Sequence, residues 1–518
     1  MVGGVDPGSR HPAPAEAAVV QTLIAQADAL AAAGRLEDSV RVLEDALHRW
    51  PALADSWYNL GLRRRHLGRA EAALDAYREA LVRGAAGPEE IHLNRGVIFA
   101  EDLQRPDEAM REYGSALRLA PDYIPALLNL ANLHEDTGRR TAAQSLYERV
   151  LAIDPAHPEA LARASNAREI AAADDPMIGR LRAALAQRDL PAEARASLGF
   201  ALGRALDACG DFDAAWNAYD AANQASRRSA PRGLPRYDRI AHERFIDDII
   251  RRCDAAFFAR AARPVAPPIT ARTAAPVFIC GMFRSGSTLA ERMLAAHPGV
   301  TAGGELDWLP SMVRRDLAPF PASLATLDAA RSAELAASYG ARRAAAFPQD
   351  GLLTDKRPDN HLYLGVARAL FPDARIVHTC RRPLDNCLSV WFLHLDHGMS
   401  YATDLLDIAH HLVQQRRLMA HWQALFGEAV HTLDYDALVT APRAALSALL
   451  AHCGLPWHEG CLEFHATEGA VRTASVWQVR RPLYRSASGR WRNYAAHLGP
   501  LRAALEAAGL DPEADPLA

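Results

Sequence analysis

The sequence is poor in the features that mark several broad protein classes. It has only 7 cysteines in 518 residues, and these are scattered with no CxxC pair. Structural zinc sites and disulfide frameworks need closely spaced pairs, so neither is indicated and a reducing compartment is expected. Charge of one sign is also missing: 58 Lys and Arg face 62 Asp and Glu, for a formal net charge of −4. A nucleic-acid polymer calls for a basic field, so none is expected as a partner. No apolar run reaches the ~18 residues of a membrane span. Residues 1–15, MVGGVDPGSRHPAPA, lack the basic head and continuous apolar core of a secretory leader. They are expected to be disordered, ahead of a soluble, cytoplasmic protein. Hydrophobic residues make up 50% of the chain and charged residues 23%, ample for two or three buried cores.

The first third is periodic. Gly34 and Gly68 are 34 apart, Tyr77, Tyr113 and Tyr147 recur at 36 and 34, and Pro121 and Pro155 are 34 apart. Asn59-Leu60-Gly61, Asn94-Arg95-Gly96 and Asn129-Leu130-Ala131 mark equivalent places in successive helices. A period near 34 with small residues, Tyr and a terminal Pro is that of a tetratricopeptide-type helical hairpin. One hairpin cannot bury its apolar stripe alone, so such units stack. Residues 16–160 are read as this array, with units at 19–50, 53–86, 89–121 and 123–155, the third carrying small insertions. Residues 161–260 stay helical but lose regularity. Gly210–Trp216 looks like one more degenerate repeat, and the segment is expected to cap the array and bridge to the next domain. Pro264, Pro267 and Pro268 make 261–275 a linker.

The second half, 276–500, opens with Pro276-Val277-Phe278-Ile279-Cys280, a short apolar run that reads as a buried strand. Gly281-Met282-Phe283-Arg284-Ser285-Gly286-Ser287-Thr288 follows, then a helix. Strand, glycine-rich turn and helix N-terminus form an anion cradle. Gly281 and Gly286 have Walker A spacing, but Ser287 stands where a nucleotide triphosphatase has Lys, and Arg284 supplies the charge instead. A second strand, Arg375–Thr379, runs into Arg381-Arg382-Pro383 and a helix bearing Ser389. Arg381 can reach a phosphate at that strand end, and Ser389 can donate to it.

These residues resemble the sulfotransferases that use 3′-phosphoadenosine 5′-phosphosulfate (PAPS). The chain is most similar to the tyrosylprotein sulfotransferases and to bacterial proteins that join tetratricopeptide repeats to such a domain. The resemblance spans about 275–495. It implies a P-loop-like α/β domain, a parallel sheet flanked by helices, behind an all-α repeat solenoid, with residues 501–518 as a tail. It implies that Arg284, Ser285, Gly286, Ser287 and Thr288 bind the 5′-phosphosulfate and that Arg381 and Ser389 bind the 3′-phosphate. Tyr435 is placed by the adenosine. Gln478-Val479-Arg480-Arg481-Pro482 and Ser488-Gly489-Arg490-Trp491 match the segment that closes over the nucleotide, giving Ser488, Gly489 and Arg490 as donor contacts.

For the chemistry, the resemblance makes Glu305 the base that deprotonates the acceptor and Lys356 the contact to the leaving oxygen, with Arg284 on the same oxygens. Asp355 and Asn360 are in position to orient the Lys356 segment. PAPS is the expected donor and PAP the product, with no metal required. The acceptor is read as a tyrosine of a peptide or protein held by the repeat groove, with a glycan or small phenol as the alternative. A repeat scaffold with a non-catalytic nucleotide-binding domain is a third reading, and homodimer formation is open. Asp307 stands where the tyrosylprotein enzymes carry an Arg that reads acidic sequence, and only Arg314 and Arg315 follow nearby. The histidines His361, His394, His397, His410, His411 and His421 cluster in sequence without metal-ligand spacing, and His394 and His397 are the reserve candidates for the base.

Overall fold

The computed structural model describes residues 10–262, 275–466, 483 and 487–514. The expected disordered stretch 1–15, the linker and the end of the C-terminal tail fall wholly or partly outside them. The chain divides into two compact units, Met1–Arg168 and Glu169–Ala518.

The first unit is all helical. Paired helices run Ala17–Ala32 and Leu36–Arg49, Ala54–His66 and Ala70–Val82, Pro88–Val97 and Pro106–Leu119, and Ile124–Asp136 and Arg140–Ile153, followed by Pro158–Ala167. The recurring spacing of small and aromatic residues has a steric basis. A Cβ placed on Gly61 would lie 2.8 Å from the Tyr77 ring, and one on Gly96 would lie 2.4 Å from the Tyr113 ring. Each first helix thus rests its glycine on the buried tyrosine of the second. The insertion in the third unit is absorbed as a π-helical turn, Ile98–Asp102, in which the Leu103 N–H reaches back to Ile98 O at 3.0 Å.

The second unit begins with helices Pro176–Leu185, Ala192–Ala208, Phe212–Ser229, Arg239–Arg252 and Ala255–Ala261. Strands β1 (Val277–Gly281), β2 (Val300–Ala302), β3 (Leu352–Lys356), β4 (Arg375–Cys380) and β5 (Val430–Asp434) follow. They form a parallel sheet in the order β2-β3-β1-β4-β5. All five β1 residues are buried. Val277 and Ile279 pack on one side with Leu289, Met293, Leu446 and Leu449. Phe278 and Cys280 pack on the other with Leu309, Tyr339, Leu370 and Trp422. An unbroken apolar strand is therefore a central strand covered by helices on both faces, as a parallel sheet requires. The domain after the repeats is the expected α/β fold. A further helix, Gly499–Ala507, lies in the region read as the tail.

Candidate active site

β1 pairs in parallel with both β3 and β4, so Ile279 faces Lys356 and Gly281 faces Thr379. The loops leaving the C-terminal ends of these three strands emerge side by side, where the strand order reverses. In open α/β sheets that is where ligands bind.

The loop after β1 is shaped by two glycines. A Cβ on Gly281 would lie 2.3 Å from Thr379 O, so the loop can press against β4 only without one. Gly286 has φ +101°, and its Cβ would fall 2.7 Å from the Tyr435 ring. Between them, the Ser285 hydroxyl is buried 2.6 Å from Met282 O and 2.7 Å from Thr379 Oγ1. Arg284 adopts φ +68°, a left-handed conformation uncommon for a residue other than glycine, and its Nε donates to Ser389 Oγ at 3.1 Å. Helix Ser287–Ala295 starts directly after Gly286, so its first-turn amides, Ser287 and Thr288 among them, have no carbonyl within the helix to bond.

Arg381 follows β4. Its guanidinium lies 4.8 Å above the Tyr435 ring and donates to Arg284 O at 3.4 Å and to Ala487 O. Its Nε is buried without a hydrogen-bond partner among the described residues, which suits an anion arriving at this point. Asn386 donates to Phe283 O at 2.6 Å and ties the same two loops together. The sequence-selected Arg284, Ser389, Arg381 and Tyr435 are thus one linked cluster.

The segment 487–491 is held against this cluster. The amides of Gly489 and Trp491 donate to the two oxygens of Asp385, at 2.7 and 2.9 Å, and the Ser488 hydroxyl donates to Asp436. Arg490 turns its guanidinium onto Asp207 and over the Phe392 ring, 5.0 Å from the centroid. The companion segment 478–482 lies outside the described residues.

On the other side of β1, Lys356 Nζ donates to Glu305 Oε1 at 2.6 Å. The Lys356 side chain is 1% exposed and that of Glu305 38%. Backbone bonds from Gly303 N to Thr354 O and from Lys356 N to Gly304 O, both 3.0 Å, zip the Glu305 loop to β3. A buried carboxylate sits behind them. Glu291 accepts from Gly304 N at 3.0 Å and from Thr354 Oγ1 at 2.8 Å, and burial pushes its carboxyl above the usual range. Next to Lys356, Asp355 accepts from Tyr339 Oη at 2.8 Å and Asn360 Nδ2 at 3.1 Å, and burial pushes it up to about 7. Asp307 is engaged by Arg314 at 2.8 Å and lies 3.8 Å from Arg357.

Sequence reasoning missed Glu291, Asp385 and Asp436. Asp385 and Asp436 are carboxylates on the first turns of helices that leave strand ends, and Glu291 lies in the second turn of the helix after β1. Another signal was overlooked: Lys356 is the one lysine in the chain. The clustered histidines separate in space. His361, His410 and His411 gather with His242, His394 and His397 face Glu193, and His421 lies 2.9 Å from Cys253 O. Among the described residues no group of three or more His, Cys, Asp or Glu side chains is arranged to hold a metal, and no helix is long and apolar enough to cross a membrane.

Comparison with known proteins agrees with this division. The sulfotransferase family matches residues 276–459, and tetratricopeptide-repeat families match 54–81 and 101–164. An uncharacterized protein of Aquifex aeolicus (strain VF5) is 29% identical over 429 residues, 79% of this chain. The chain spans only 52% of that relative's length. Human protein O-mannosyl-transferase TMTC2 is 32% identical over 100 residues, 19% of this chain and 12% of that protein. Among solved structures, the sulfotransferase domain of the Synechococcus PCC 7002 olefin synthase covers 44% of this chain and 90% of its own length, at 22% identity and a TM-score of 0.34. The chain carries a tetratricopeptide-repeat region and, separate from it, a sulfotransferase-like α/β domain.

Proposed function

We propose that the second unit is a PAPS-dependent sulfotransferase acting on an acceptor hydroxyl, with tyrosine of a peptide or protein as the leading acceptor. The observation that carries this reading is the Lys356–Glu305 pair, an acid–base pair fixed at the strand ends beside the β1 loop. Bound PAPS would supply the sulfuryl group and leave as PAP. The Nε of Arg381, unpartnered among the described residues, and the first-turn amides after Gly286 fit its two phosphate ends. Arg381, with Ser389 and Tyr435, would hold the 3′ side. Ser285, Gly286, Ser287 and Thr288 would hold the 5′ side, and Ser488, Gly489 and Arg490 would close it. Glu305, the exposed member of its pair, would accept the proton of the hydroxyl. Lys356 and Arg284 would stabilise negative charge on the departing oxygens, so positioning and electrostatics supply the catalysis and no metal is invoked.

Asp307 favours a second reading for the acceptor. Its pairing with Arg314 and its approach to Arg357 offset positive charge near Glu305, which suits a neutral glycan or phenol better than a strongly acidic peptide. Incubation with labelled PAPS against pools of peptides, phenols and glycans tests both. Label transferred to tyrosine peptides supports the first, label confined to phenols or glycans supports the second, and no transfer to any pool removes the enzyme reading.

A further inference from the structure

Helices Ala192–Ala208 and Phe212–Ser229 form a hairpin built like those of the repeats. A Cβ on Gly203 would lie 2.8 Å from the Tyr219 ring, the contact seen between Gly61 and Tyr77. Yet this hairpin belongs to the compact unit that contains the sheet. Its polar and aromatic residues are spent on that unit. Asn223 Nδ2 donates to Trp391 O at 3.0 Å, at the end of helix Pro383–Trp391, which carries Ser389. The Tyr219 ring stacks on Phe392 at 4.2 Å, and Trp216 packs on Trp391 at 4.4 Å and on His497 at 4.6 Å.

The segment from Ala487 to His497 is gripped between two sets of carboxylates. Asp385 and Asp436 hold it from the sheet side. From the hairpin side Asp207, 15% exposed, accepts from the Arg490 guanidinium and from the Tyr494 hydroxyl. The Tyr219 hydroxyl also interacts electrostatically with Arg490, whose guanidinium lies over the Phe392 ring. Because Arg381 donates to Ala487 O, the position of this strap and the position of Arg381 are linked.

We infer that this repeat-like hairpin is a wall of the donor site, and that Asp207 is a positioning residue that sets the strap through Arg490 and Tyr494. This rests on the donor assignment above. Asp207 itself does not touch the donor. It fixes Arg490, so that Ser488 and the Gly489 backbone stand where they can close on the nucleotide. A half-buried arginine that loses its carboxylate is left unpaired, and the strap it anchors is then free to shift.

The test is calorimetry of PAP binding to the full chain, with steady-state kinetics on whichever acceptor the pools identify. Asp207→Asn should weaken PAP about tenfold or more and raise the KM for PAPS, while kcat and the acceptor KM hold; a general structural defect would also lower kcat or raise the acceptor KM. Asp207→Glu should recover most of the affinity. Combining Asp207→Asn with Arg490→Gln should cost no more than either change alone, since both act through one contact. Asp213→Asn, on the same hairpin but in an exposed pair with His497, should leave PAP affinity unchanged. If Asp207→Asn fails to fold, Tyr219→Phe removes only the hydroxyl that interacts with Arg490 and should weaken PAP several-fold. PAP affinity equal to that of the unaltered chain in both variants would overturn the inference. An unaltered chain that does not bind PAP would instead remove the donor assignment, and this inference with it.

Discussion

Lys356 and Glu305 meet at 2.6 Å, one almost fully buried and the other open to solvent. The pair leaves Glu305 accessible to an acceptor while Lys356 reaches it from the sheet. Glu305→Gln keeps the shape and the hydrogen bond but cannot take a proton. PAP affinity should stay within a few-fold of the unaltered chain, and turnover should fall by about 10²–10⁴. Normal turnover would move the base elsewhere, with His394 and His397 next to be replaced.

The Arg381–Tyr435 contact predicts discrimination between nucleotides. Arg381→Ala removes the charge expected at the 3′-phosphate, a contact worth roughly 1.5–3 kcal/mol. Calorimetry should show a large loss for PAP and a small one for adenosine 5′-phosphate. Equal losses for the two would sink the assignment of Arg381.

Asp307 predicts a change of preference. Asp307→Asn frees Arg314 from its counter-ion and removes the weaker of two acidic neighbours of Arg357, whose closer partner is Asp359 at 2.9 Å. KM should fall for a tyrosine peptide flanked by glutamates and stay level for the same peptide flanked by glutamines. Parallel KM values in the variant would mean that these arginines do not face the acceptor.

The architecture was legible where the chemistry is local. The Gly61–Tyr77 and Gly96–Tyr113 contacts follow from the repeat, because a helix pair with a short turn brings those positions together. The β1 run and its glycine loop were equally plain, since burial on both faces leaves no polar residue in the strand. Glu291 and Asp207 were not legible. Each acts on a backbone or side chain far along the sequence, Thr354 for one and Arg490 for the other, and no periodicity connects them. The sequence of 161–260 reads as a cap on the array and a bridge to the next domain, with Gly210–Trp216 as one degenerate repeat. Only the partners of these helices, Trp391, Phe392 and Arg490, assign them to the sheet.

Buried histidines predict an acid limit to stability. His378 is pulled down to about 3 and His242 to about 4, in both cases chiefly by burial, and His411 lies well below 6.5 for the same reason. Unfolded, each titrates near 6.5, so the unfolded chain binds more protons below that pH. Their contribution is full above 6.5 and is lost as pH falls toward 4. Asp355, raised to about 7, works in the opposite direction: its contribution is present below 3.8 and is lost as pH rises through 7. The histidines outnumber it, so urea unfolding of the full chain should show a loss on the order of a few kcal/mol between pH 7 and pH 5. His242→Gln should flatten that slope. A denaturation midpoint independent of pH over this range would contradict the burial of these rings.

A chain whose one lysine lies at its candidate active site is its own single-site probe. Apart from the terminal α-amine, an acylating or reductively methylating reagent has one amine to find, and Glu305 stands across its approach. Intact-mass spectrometry then counts modification at Lys356 with no digestion, and protection by PAP reports directly on the donor pocket. A lysine-free protein is one substitution away, so every other amine signal can be assigned by subtraction.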